Sequence, residues 1–346
     1  MRHSKIVLVI VLTLTTVAAA AEPPTGLTRE QAEIEGIDLV TPGLAPAAVE
    51  PVPATAPPKG SLQLDLLLIP DSTADTIMAF DPTTGNLINQ NFIVDFGATP
   101  NFQTPICAIL NHDATGILVS DQLSDVVFEF DLAGNYVGIF APAGGPNTAI
   151  LDNIRGISLR ANGNLLVTVG SGTNAGAIAE FDTSGAYVGN FIAPGLGGIT
   201  SPFDVYYQPT AVMVNEITND QVLEYDGSGG FVGVLTPVNN FPEQITRAAD
   251  GNYLVANFGG TQEGILDIQP DGTVVAVYDP TVEGGYRGVY ELPSGNLLVT
   301  TGVGVYEITR AVPSTIVETK ITGVSARFVS YTEEPVPVEL QSFSAE

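Results

Sequence analysis

Tryptophan is absent from this 346-residue chain, and cysteine, histidine and basic side chains are scarce. The single cysteine, Cys107, excludes an intrachain disulfide and a thiolate metal cluster. It lies in the apolar run TPICAIL, where a thiol reads as buried and inert rather than as a nucleophile. The two histidines are His3, in a leader-like segment, and His112, in the turn-like string NHDATG. With so little histidine and no G-x-S-x-G elbow, serine-hydrolase chemistry has no base to work with. Eleven Lys and Arg stand against 38 Asp and Glu, a formal net charge of -27. Nucleic acid and anionic membrane surfaces need basic counter-charge, so neither is an expected partner. Solubility outside the cell is the plainer use of the acidic excess.

Long apolar runs are also missing, with one exception. Arg2 and Lys5 precede IVLVIVLTLTTV, and AAAAEPP follows. This is the pattern of a secretory signal peptide over residues 1–21, shorter than the roughly 20 apolar residues of a spanning helix. Its removal takes away two basic and no acidic residues, leaving a mature charge of -29. The expected location is therefore secreted, periplasmic or in the cell envelope of a bacterium. Residues 22–60 are crowded with Pro and Ala and read as a linker, largely disordered. Residues 61–332 are long enough for one large all-β domain, and 333–346 form a tail. The tail EEPVPVELQSFSAE resembles the Pro-Val-Glu-Leu-x-Ser-Phe segment that follows the last globular domain of many secreted bacterial proteins.

What the chain does have is repetition. EFDLAGNYVG at Glu129 returns as EFDTSGAYVG at Glu180 and as EYDGSGGFVG at Glu224. Aligned on its aromatic-plus-acid pair, the unit recurs at Phe80, Phe130, Phe181 and Tyr225, with weaker copies at Ile268 and Ile308. A second anchor lies upstream in each unit, as in GNLLVT at Gly163 and again at Gly295. Each unit reads as four short strands rich in β-branched and aromatic residues, parted by Gly, Asn, Asp or Pro turns. Four-stranded repeats of about 40 to 45 residues predict a β-propeller. The first unit lacks its innermost strand, and ARFVSYT at Ala326 supplies one without followers. Joining them closes a ring of six blades and removes exposed sheet edges.

The segment IRGISLRANGNLLVTVGSGTNAGAIAEFDTSGAYVG resembles an NHL-type repeat, and the likeness extends over about 270 residues. The wider six-bladed group includes gluconolactonase-like metalloenzymes, virginiamycin B lyase-like enzymes and plain binding modules, so the fold alone does not choose among them. In such propellers ligands bind at the mouth where loops enter the first strands. Eight residues before the inner turn glycines Gly163, Gly251 and Gly295 stand Arg155, Glu243 and Arg287, and Arg327 holds the similar place in the closing strand. The second strands end on Asp71, Asp121, Val169, Glu216, Asn257 and Thr301.

Two uses of the arginines compete. Each could pair with an acid of a neighbouring blade, such as Asp121 or Glu216, and hold the ring in register. Alternatively, they could converge on an anionic small molecule or peptide, which guanidinium forks bind in two-point fashion. The gluconolactonase-like resemblance implies a calcium or magnesium ion held by Glu, Asn and Asp; Glu243, Asn257, Asp204 and Asp121 are the oxygen donors available. The segments that carry those ligands in the family have no clear counterpart here, and three arginines would oppose a cation. The lyase-like resemblance implies a histidine base, whereas His112 is expected on the opposite face. The expectation is a monomeric binding or interaction module. The alternatives are a metal-dependent hydrolase of lactonase type and a structural envelope protein without a small ligand.

Overall fold

A computed structural model describes residues 64–94 and 96–332. The leader, linker and tail assignments lie outside the described residues. Six four-stranded antiparallel sheets run through the described chain, each in simple up-and-down order. The inner strands of blades 2 to 6 are Pro105–Leu110, Ile154–Leu159, Pro202–Tyr207, Pro242–Arg247 and Tyr286–Glu291. Blade 1 consists of Leu67–Asp71, Thr76–Phe80 and Leu87–Ile93, closed on its inner side by Ser330–Tyr331. Blade count, strand number and the mode of closure follow the repeat. The closing strand is shorter than ARFVSYT suggests: its ladder is two pairs, Leu67 opposite Tyr331 and Leu68 opposite Ser330, plus an isolated bridge from Asp71 to Ala326.

Second and third strands are buried along almost their whole length, because each sheet is packed between two others. That is why they read as continuous apolar runs rather than as alternating patterns. The core accordingly lies between blades: Leu166, Ile178 and Ile192 of blade 3 pack on Val205, Val214 and Tyr225 of blade 4. Met213 and Val222 of blade 4 pack in turn on Ile245, Val255 and Leu266 of blade 5.

Each part of the repeated decamer has a structural task. Phe130 and Phe181 are fully buried. The carboxylate of Asp131 accepts the N–H groups of Ala133 and Asn135, and that of Asp182 accepts those of Ser184 and Ala186, so the acid caps its own hairpin turn. The turn glycine is needed twice. Gly185 has φ 78°, and a Cβ there would fall 1.7 Å from the carbonyl oxygen of Phe140 in the outer strand of the preceding blade. Gly134, Gly229 and Gly272 stand in the same relation to Phe92, Phe191 and Leu235. The acid at the head of the decamer reaches across its sheet to the asparagine after the inner turn. Asn164 donates to Glu180, Asn252 to Asp267 and Asn296 to Glu307, each at 2.7 Å. All three acids also hold a cation: Arg160 on Glu180, Arg310 on Asp267 and Lys320 on Glu307.

The valine of YVG is the extra residue of a β-bulge. Phe130 pairs with Tyr136 and Glu129 with Gly138, which leaves Val137 without an opposite number. The same slip isolates Ile88, Val188, Val232, Val275 and Val317, so every outer strand is bulged at one equivalent place. All six of these side chains are 48–61 % exposed.

Candidate functional site

A second set of bulges shapes the mouth. On the inner strand of blade 2, Pro105 stands opposite Asp121 and Cys107 opposite Ser120, so Ile106 is the extra residue. The register slips at the equivalent place in blades 3 to 6, at Arg155, Phe203, Glu243 and Arg287. A bulge frees the backbone carbonyl of its extra residue from the ladder. The preceding blade uses it: Ser120 Oγ donates to Arg155 O at 2.6 Å, Asn215 Nδ2 to Glu243 O at 2.7 Å, and Thr300 Oγ1 to Arg327 O at 2.6 Å. Arg155, Glu243 and Arg287, found by counting back from the inner glycines, and Arg327 of the closing strand thus occupy one level of the ring, with Ile106 and Phe203 in the other two places. Those two escaped the sequence argument because an apolar residue there looks like ordinary core.

The ring is buried. Arg155 and Glu243 are 0 % exposed, and Arg287 and Arg327 are each 5 % exposed. Arg155 Nη1 donates to Ser201 Oγ at 3.0 Å and to Pro202 O at 3.2 Å on blade 4, with its guanidinium 5.0 Å from the centre of the Phe203 ring. Gly170 permits this approach, since a Cβ there would lie 2.4 Å from Nη1. At the seam between blades 6 and 1, Arg287 Nη1 donates to Ser325 Oγ and Arg327 Nε to Ser72 Oγ, both at 2.8 Å. Ser72 and Ser325 are themselves joined at 3.2 Å.

The acids at the ends of the second strands serve the loops. Asp121 accepts the N–H groups of Gln103, Thr104 and Ser124. Glu216 accepts Ser201 N–H, Thr218 N–H, Asn219 N–H and Thr200 Oγ1–H, and Asp71 accepts Ser325 N–H. In blades 3 and 5, which end on Val169 and Asn257, the turn acid of the preceding blade takes over. Asp125 receives Asn153 N–H and Asp220 receives Phe241 N–H, each at 2.7 Å and each from a left-handed residue. Burial pushes the Asp125 carboxyl up to about 6, with Asp152 and Asp121 nearby adding to it.

One step further along the inner strand of blade 4 stands the buried Asp204. Asp204 Oδ2 accepts Ile245 N–H at 2.9 Å and Oδ1 accepts Val205 N–H at 2.8 Å. Burial still outweighs both bonds and pushes its carboxyl up to about 7. Gly156 leaves room for it, since a Cβ there would sit 2.2 Å from Asp204 Oδ1. Cys107 is buried beside Ser330, and burial, then the charge of Asp204, pushes its thiol up to about 12. Such a thiol is unreactive, as its apolar setting suggests. His112 lies in the turn after the inner strand of blade 2, at the opposite end from the ring.

Two of the four candidate oxygen donors, Asp121 and Asp204, already accept backbone N–H groups. Asp121 is held by three backbone amides, Asp204 by two, and Asn257 Nδ2 donates to Asn239 O, Gly259 O and Gln262 O. Among the described residues no three His, Cys, Asp or Glu side chains stand close enough to share an ion.

Fold and ring together define a six-bladed β-propeller with a buried mixed-charge ring near the start of its inner strands. No protein-family model matches the chain, and no curated protein matches it in sequence. Solved structures share the fold. A chain in a nidogen/laminin complex superposes with a TM-score of 0.60 at 12 % identity, over 78 % of this chain and 99 % of that one. A putative gluconolactonase gives 0.53 at 12 % identity, over 76 % and 86 %. A streptogramin B lyase gives 0.50 at 17 % identity, over 75 % and 85 %. At such identities the likeness extends to the fold alone. No helix among the described residues is long and apolar enough to cross a membrane.

Proposed function

We propose that the protein is an exported binding module that takes an anionic small molecule, or a carboxylate of a peptide, at the mouth of the propeller. The observation that carries this reading is the placement of arginine. A chain with 11 basic residues puts three of them on one ring, Arg155 and Arg287 at bulges of their inner strands and Arg327 at the similar place in the closing strand. Each has a serine hydroxyl within hydrogen-bond distance. Guanidinium and hydroxyl donors side by side suit a carboxylate or phosphate, and a buried setting strengthens the attraction. The leader-like first 21 residues support export.

Thermal denaturation against a panel of sugar acids, dicarboxylates and short peptides tests the proposal. A ligand that raises the melting temperature of the wild type should lose most of that effect in Arg155→Met and Arg287→Met, which keep the bulk of the side chain without its charge. A panel without any shift removes the anion-binding reading and favours a structural envelope role. A calcium-dependent shift abolished by Glu243→Gln would instead favour a metal-dependent hydrolase of lactonase type.

A further inference from the structure

The strand that shuts the ring has the shortest ladder of the six inner strands. Its paired residues are Ser330 and Tyr331, and the next contact with blade 1 in the ladder is the single bridge at Ala326. The residues between reach in several directions. Arg327 N–H donates to Pro70 O of blade 1 at 2.8 Å, and Phe328 N–H to Ile106 O of blade 2 at 3.2 Å. Val329 turns across the channel to blade 5. Its N–H donates to Gln244 Oε1 at 3.0 Å, and its carbonyl accepts from Gln244 Nε2 at 2.8 Å. The same Oε1 accepts Val289 N–H of blade 6 at 2.9 Å. A primary amide offers one planar acceptor and donor pair, the same groups that a residue of a neighbouring strand would present. Gln244 is buried, and Gly288 keeps its path clear: a Cβ at 288 would lie 2.8 Å from both Gln244 Oε1 and Arg327 O.

We propose that Gln244 is the latch of the propeller: its side-chain amide replaces a missing length of strand, and it sets how readily the closing strand swings away from blade 1. No other residue type fits the role. Glutamate has the reach but, when ionised, no donor for Val329 O, and methionine fills the space with neither bond. The latch governs the seam between blades 6 and 1, where Arg287, Ser325, Ser72 and Arg327 meet, so its release uncovers two of the ring arginines. This holds whether or not the ring binds an anion.

Hydrogen exchange read by mass spectrometry on the full chain tests the latch. In Gln244→Met, peptides covering residues 325–332 and 64–71 should exchange roughly tenfold faster or more, while peptides from blades 3 and 4 keep wild-type rates. Gln244→Asn retains the polarity but is shorter by one methylene, and should give the same regional pattern in a protein with no new buried apolar contact. Unchanged exchange at 325–332 in either variant overturns the proposal. So does acceleration spread evenly over all blades, which is the mark of a general loss of stability.

Discussion

Asp204 illustrates how a single residue can make the stability of this fold depend on pH. Its carboxyl titrates near 7 in the folded protein because burial disfavours the ion, and near 4 in an unfolded chain. The folded state therefore holds the proton more tightly. The stability this contributes is complete below about pH 4, is lost as pH rises toward about 7, and is gone above that. Unfolding curves measured between pH 4 and 8 should show a fall on the order of a few kcal/mol from this group, and Asp204→Asn should remove that component. A variant that keeps the full wild-type slope would mean that other groups carry it. Arg155, Glu243 and Arg287 were legible in the sequence because they keep a fixed distance from a recognisable glycine, and Arg327 because ARFVSYT reads as a further innermost strand. Gln244 and Asp204 were not legible in their present roles, since Gln244 serves a strand more than 80 residues away in sequence and Asp204 serves the backbone of the next blade. Neither distance leaves a local trace.

At the level of the element, the outer strands show how an uncharged edge can be kept from pairing. Five of the six, LINQNFI, YVGIFA, YVGNFI, FVGVLTP and VVAVY, carry no charge, although the chain is strongly acidic. Edge strands are commonly guarded by charge, proline or bulges, and here the bulge does most of that work. Deleting Val232 should let Phe231 and Gly233 follow in regular register and straighten the edge of blade 4. Light scattering should then show concentration-dependent association absent from the wild type, whereas Val232→Ala, which keeps the extra residue, should stay monodisperse. The hairpins themselves were readable from Asp, Gly and the aromatic pairs. The bulges were not, because a one-residue slip changes pairing without changing composition. The leading Glu of the decamer went unread for a similar reason: its asparagine partner lies 16 residues earlier in blade 3, in a different turn.

For the whole molecule, charge and closure matter most. The turn aspartates Asp182 and Asp226 are held below the usual carboxylate range by hydrogen bonds from Ser184 and Ser228, so these charges persist in mild acid. With a formal charge of -27 on the chain, self-repulsion opposes compactness and salt screens it. Melting temperature should therefore rise as sodium chloride is raised from about 10 to 150 mM, and a fall over that range would show that the ion pairs of Arg160, Arg310 and Lys320 outweigh the repulsion.

Thr332 bonds to Leu66 across 266 residues of sequence, and that separation orders events in time. Blade 1 is made first and completed last, since its inner strand is the final piece of the domain to leave the ribosome. A chain threaded outward through a membrane would have to keep its earliest arrivals waiting, with one sheet face unfinished, until the last strand came through to meet them.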